Sequence, residues 1–149
     1  MSKKEKTPVV IYTDGSCDPN PGPGGWAALI IMKKENKLVK GSESHSTNNR
    51  MELTAALNGI KEVDVSEEII LYTDSQYLQK GVREWIVNWK ARGWRRKGGK
   101  LANVDLWKEI STEIDHRKII WRWVRGHAGN PFNERVDRAA QQMAAAAKR

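Results

Sequence analysis

The chain has 149 residues, enough for one domain with one sizeable core, and a formal net charge of +8. No run of about 18 apolar residues occurs, which excludes a membrane-spanning helix, and the single cysteine, Cys17, excludes an internal disulfide and fits a reducing, cytoplasmic setting. Residues 1–7 lack the apolar stretch of a signal peptide and are expected to form a solvated tail.

In chain order, residues 8–16 read as a first strand, built on the β-branched run Val9-Val10-Ile11. Asn20 to Gly25 reads as a turn, Trp26 to Met32 as a second strand, Lys33 to Asn36 as a hairpin connection, and Lys37 to about His45 as a third strand. Residues 48–63 carry Met51, Ala55, Ala56 and Ile60 at helical spacing, with Thr47 or Asn48 as the N-cap. Residues 68–74 form a fourth strand, 75–91 short helical turns, and 92–101 a basic loop. Asn103 is expected to cap a helix running to about Asp115. Lys118 to Val124 is a fifth strand, with Trp121 and Trp123 on one face and Ile120, Arg122 and Val124 on the other. After a loop over 125–130, Pro131 opens a last helix whose core face holds Val136, Ala139, Ala140 and Met143. Three strands followed by strands reached through helices predict an α/β fold with a five-stranded mixed sheet flanked by helices.

One phrase occurs twice. Tyr12-Thr13-Asp14 and Tyr72-Thr73-Asp74 each end an apolar strand with an aspartate at the same pleat parity. Neighbouring strands lie about 4.8 Å apart, so if these two pair in parallel the carboxylates sit side by side, which is costly unless a cation holds them. Glu52, on a stretch otherwise turned to the core, and Asp137, in the last helix, are further candidates. Each also has an ordinary explanation: helix-dipole complementarity for Glu52 and surface exposure for Asp137.

The charge is concentrated. Residues 80–100 hold eight Lys and Arg against Glu84 alone, interleaved with Trp85, Trp89 and Trp94. A solvated helix face has no use for exposed indoles, so this basic segment points to a nucleic-acid backbone.

Five segments in this order and spacing resemble ribonuclease H type 1, most closely the bacterial single-domain form: Tyr12-Thr13-Asp14-Gly15-Ser16-Cys17, Thr47-Asn48-Asn49-Arg50-Met51-Glu52-Leu53, Tyr72-Thr73-Asp74-Ser75-Gln76-Tyr77, Gly126-His127-Ala128-Gly129, and Asn133-Glu134-Arg135-Val136-Asp137. The similarity runs from about residue 8 to 143. It implies a single catalytic domain that hydrolyses the RNA strand of an RNA/DNA hybrid by two-metal-ion catalysis. Asp14, Glu52, Asp74 and Asp137 would bind two Mg²⁺ ions, or Mn²⁺ in their place.

The resemblance also assigns auxiliary roles. His127, which by itself reads as a surface residue in a Gly-rich loop, would assist proton transfer or product departure. Cys17, Asn20, Asn48, Asn49 and Gln76 would lie near the minor groove, where 2′-hydroxyls mark one strand as RNA; helix capping is the plainer explanation of the Asn pair. Tyr77, Trp85 and Trp89 would form a channel for deoxyribose, Thr47 and Asn103 a DNA-phosphate pocket, and residues 80–101 a basic handle. His45 stands where related enzymes often place an arginine in that pocket. A neutral imidazole is a weaker phosphate partner than guanidinium, so DNA-strand affinity is expected to strengthen in acid.

The rival functions fit less well. Four acids in a non-catalytic binding module would repel phosphate without a metal. An integrase or resolvase has no use for the hydroxyl-reading segments and the handle. A sugar-kinase-like ATPase would need a duplicated domain. The remaining expectation is a monomer acting on hybrid, away from membranes.

Overall fold

The computed structural model describes residues 7–95, 99, 101–125 and 129–148. The elements follow the expected order: β1 (Val9–Cys17), β2 (Gly22–Ile31), β3 (Asn36–Ser46), α1 (Asn48–Lys61), β4 (Ile69–Thr73), α2 (Gln76–Lys80), a π-helical turn (Gly81–Trp85), α3 (Ile86–Ala91), α4 (Val104–His116), β5 (Ile119–Trp123) and α5 (Pro131–Ala146). Among the described residues the strands form one five-stranded sheet in the order β3-β2-β1-β4-β5. β1 pairs antiparallel with β2 and parallel with β4, placing Tyr12 opposite Tyr72, so the two repeated phrases lie side by side at the centre of the sheet.

Three expectations change. Gly22 to Gly25 do not form a turn; they open β2, where Gly24 pairs with Cys17 and Gly25 with Ser16. Side-chain-free positions let β2 pass close beneath α5: a Cβ on Gly25 would lie 2.3 Å from the Ala140 oxygen and the Ala144 nitrogen. On α5 itself, Ala144 is buried and Met143 only half-buried. Asn103 does stand at the N-cap position of α4, but its backbone is left-handed (φ 58°) and its side chain makes no cap bond.

Two cores flank the sheet. One packs Ile11, Leu71, Leu53, Ile60, Leu78, Trp107 and Ile110 between the sheet and α1, α2 and α4. The other packs Tyr12, Ala27 and Leu29 against Val136, Ala139 and Ala140 of α5. Each fully buried aliphatic side chain contributes about 1.5–3 kcal/mol by leaving water. α1 starts where Thr47 Oγ1 accepts the Arg50 amide, 3.1 Å away, as its sequence predicts. α5 starts where Asn130 Oδ1 accepts the amides of Phe132 and Asn133, with Pro131 at the first position. No helix among the described residues is long and apolar enough to cross a membrane.

Candidate metal and nucleic-acid site

Four elements deliver the predicted acids to one cleft. Asp14 comes near the end of β1, Asp74 immediately follows β4, Glu52 comes from α1 and Asp137 from α5, and all four line the same depression with Ser16, Asn48, Asn49 and Gln76. One carboxylate oxygen from each of Asp14, Glu52 and Asp74 lies within 4.8 Å of the others. α1 can bring Glu52 this close because residue 15 is glycine: a Cβ there would stand 2.4 Å from the Glu52 nitrogen.

Burial and mutual repulsion dominate the electrostatics. Asp14, 4 % exposed, is pushed up to about 9, first by desolvation, then by a hydrogen bond with Asp137 and the charges of Asp74 and Asp137. Glu52 is raised well above the usual carboxylate range by burial and then by the charges of Asp14 and Asp74. Asp74 is also raised, by burial first, although hydrogen bonds from Glu52 and Asp14 pull the other way. Without a cation the cluster therefore holds protons that ordinary carboxylates would have lost. Glu52 Oε1 is buried and has no hydrogen-bond partner among the described residues. A compact, all-oxygen, partly orphaned donor set of this kind fits a hard divalent cation. Asp137 is held from its own helix, where the Gln141 amide donates to both carboxylate oxygens at 3.4 Å.

Around the acids, the structure gathers some predicted residues and separates others. Cys17 also lines the cleft, but its thiol is buried among three backbone carbonyls, those of Pro19, Gly22 and Ser46, at 3.1–3.4 Å. Asn20 Oδ1 accepts the Asn48 amide at 3.1 Å, tying its loop to the start of α1. Tyr77 belongs both to the cleft and to a second groove that it forms with Trp85, Trp89, Leu101 and Ala102. His45, near the end of β3, and Thr47 are exposed and lie outside both depressions. His127 lies outside the described residues, as do residues 96–98 and 100 of the basic handle. Of the handle's other cations, Lys80, Arg83, Arg92 and Arg95 are exposed, and Lys90 is engaged by Asp115.

Two residues outside the predicted set organise this groove. The buried Trp107 donates its indole N–H to the Tyr77 hydroxyl at 3.1 Å, and the Asn103 amide donates to the same oxygen at 3.1 Å. Arg50 donates to Asn103 Oδ1 at 3.3 Å and forks onto Asp105 at 3.1 and 2.7 Å. Arg50 lies inside the Thr47–Leu53 motif, but only its spatial partners, 53 and 55 residues away, disclose this connection.

The comparisons agree with the geometry. The sequence profile described as RNase H matches residues 6–145. The chain is 49% identical over 135 residues to the Ribonuclease H of Pseudomonas entomophila (strain L48), covering 90% of this chain and 91% of that one. It is 50% identical over 133 residues to the Ribonuclease H of Hahella chejuensis (strain KCTC 2396), covering 89% and 90%. Among solved structures it resembles LC9-RNase H1, described as a type 1 RNase H with the type 2 active-site motif, at a TM-score of 0.83 and 32% identity, over 97% of this chain and 75% of that one. LC11-RNase H1, solved in complex with an RNA/DNA hybrid, shares the fold at a TM-score of 0.70 and 19% identity, over 93% and 98%. A profile match over nearly the whole length, relatives at half identity and a four-acid cleft place this chain in the RNase H family.

Proposed function

We propose that this protein hydrolyses the RNA strand of RNA/DNA hybrids, leaving 5′-phosphate and 3′-hydroxyl ends, with two Mg²⁺ ions (or Mn²⁺) held by Asp14, Glu52, Asp74 and Asp137. The observation that carries this reading is the convergence of the Asp14, Glu52 and Asp74 oxygens within 4.8 Å, with one buried Glu52 oxygen left unpartnered. The names of the Pseudomonas and Hahella relatives support the same activity. Bound divalent ions supply Lewis-acid stabilisation of the scissile phosphate and lower the pKa of water.

The chain's own residues do the rest. Asp14 stands on β1 and Asp74 directly follows β4, so the pairing of these central strands as far as Tyr12 and Tyr72 sets where the two acids emerge. Asn48, Asn49 and Gln76 present amides to the hybrid's minor groove, where 2′-hydroxyls occur on one strand only. Cys17 and Asn20 hold the loop that borders this groove. Tyr77, Trp85 and Trp89, with the Trp85 ring inclined to both of the others, offer an aromatic groove to deoxyribose, and Thr47, Asn103 and His45 face the DNA phosphates. Lys80, Arg83, Arg92 and Arg95 draw in the polyanion. His127 assists proton transfer or product departure. The protein acts as a monomer in the cytoplasm.

Three end-labelled duplexes test the reading: hybrid, DNA and RNA. Cleavage confined to the RNA of the hybrid, dependent on Mg²⁺ and lost in Asp14→Asn, is expected. Equal cutting of the DNA duplex would overturn it.

A further inference from the structure

Phe132 sits in the first turn of α5 and is 37% exposed, unusual for so large an apolar side chain. Its ring is not idle. It lies 5.4 Å from the Tyr12 ring, and Tyr12 stacks on Tyr72 at 4.7 Å with the planes within 8°. A row of three rings thus joins α5 to β1 and β1 to β4. Asn130 adds a second tie at the same place. Its amide donates to the Tyr12 hydroxyl at 3.2 Å, while its oxygen caps α5.

The three elements joined in this way carry three of the four acids. Tyr12 precedes Asp14 by two residues on the same face of β1, and Tyr72 precedes Asp74 by two. Each aspartate is therefore about 7 Å along the strand from its ring. Phe132 precedes Asp137 by five residues, about 7.5 Å of helix. The sheet ladder fixes β1 against β4, whereas α5 is held on the sheet by packing of Val136, Ala139 and Ala140, with the Phe132–Tyr12 contact at its N-terminal end.

We propose that Phe132 is a positioning residue: by seating α5 on the Tyr12–Tyr72 stack it sets where Asp137 stands relative to Asp14 and Asp74, and so tunes affinity for a divalent cation. The proposal rests on the reading of the four acids as a metal site. Phe132 touches neither substrate nor cation and acts only through the placement of Asp137.

Mn²⁺ titrated into the metal-free protein by calorimetry tests it. Phe132→Ala is expected to weaken Mn²⁺ binding about three- to tenfold, the range an aromatic contact can supply. The Mg²⁺ concentration giving half-maximal cleavage should rise in parallel, with KM for hybrid unchanged. Phe132→Tyr, which keeps the ring, should restore wild-type affinity, and in an Asp137→Asn background Phe132→Ala should have no further effect on Mn²⁺ binding. Wild-type Mn²⁺ affinity in Phe132→Ala overturns the proposal even if the melting temperature falls, as does failure of Phe132→Tyr to rescue or an undiminished effect in the Asp137→Asn background. A wild-type protein that binds no Mn²⁺ overturns the metal-site reading together with it.

Discussion

The backbone of Gly15 lies against the backbone of Glu52, so closely that any Cβ at position 15 would stand 2.4 Å from the Glu52 nitrogen and 2.5 Å from the Met51 carbonyl carbon. This contact lets an acid from a helix reach a pair of acids rooted on strands. The obstacle to a side chain is backbone, which cannot swing aside. Gly15→Ala should therefore push α1 outward, at a cost of about 1–3 kcal/mol, typical of overpacking. Because Glu52 moves with the helix, Mg²⁺ dependence should also shift to higher concentration. Chemical denaturation and a Mg²⁺ titration of cleavage check the two effects. An unaltered Mg²⁺ requirement would show that Glu52 does not depend on this approach.

The acid cluster makes the metal-free protein sensitive to pH in a defined direction. Asp14 titrates in the folded state near 9 instead of 3.8, and Glu52 and Asp74 are raised as well. Between those limits the folded state binds more protons than the unfolded chain, so stability falls as pH rises. Thermal melts in chelator from pH 5 to 9 should show a declining midpoint. Asp14→Asn should flatten that decline and raise the midpoint at pH 8 by about 2–4 °C for each kcal/mol recovered. Added Mg²⁺ should stabilise the wild type more at pH 8 than at pH 5, because the cation binds the ionised cluster.

The Tyr77 hydroxyl accepts from both Asn103 and the buried Trp107, so it is structural as well as exposed to the groove. Tyr77→Phe leaves the Trp107 indole N–H without its acceptor and should cost about 1–3 kcal/mol, the penalty for a buried unsatisfied donor. Urea denaturation measures this. Arg50→Ala should act differently. It frees Asn103 and Asp105 at a partly exposed position, so the stability loss is small and KM for hybrid rises. The Arg50 guanidinium also holds the Asp105 carboxyl below its ordinary range, so its small contribution to stability is present above pH 3.8 and lost as pH falls further.

Affinity for hybrid should be strongly salt-dependent. Each phosphate neutralised by an exposed cation contributes up to about 0.9 to the slope of log affinity against log salt. Arg83→Ala and Arg92→Ala should each lower that slope. Lys90→Ala should lower it less, because Asp115 already engages this lysine. Binding isotherms across salt concentrations separate the cases, and equal slopes for all three would remove the distinction.

The linear chain disclosed the elements and the acids. β-Branched runs, helical spacing and capping residues are local signals, and the Tyr-Thr-Asp phrase carried its parity with it. The parallel pairing of β1 and β4, which the repeated phrase posed as a condition, is what the sheet shows. The Gly22–Gly25 segment misled because glycine and proline punctuate loops locally. Here the glycines are in a strand, since α5 and Met51 pack where side chains would be.

Several features depended on contacts distant in sequence, where no periodicity operates. Arg50 meets Asn103 and Asp105, Trp107 meets Tyr77, and Phe132 meets Tyr12 only after the sheet and helices have assembled. The same holds for the charge state of the acids. Four carboxylates in a sequence are ordinary anions; three of them converging within 4.8 Å in a partly dry cleft become a proton trap that favours a cation. Residue type and spacing decided which groups could do the chemistry. Proximity and dielectric, which belong only to the folded molecule, decided that they would act together.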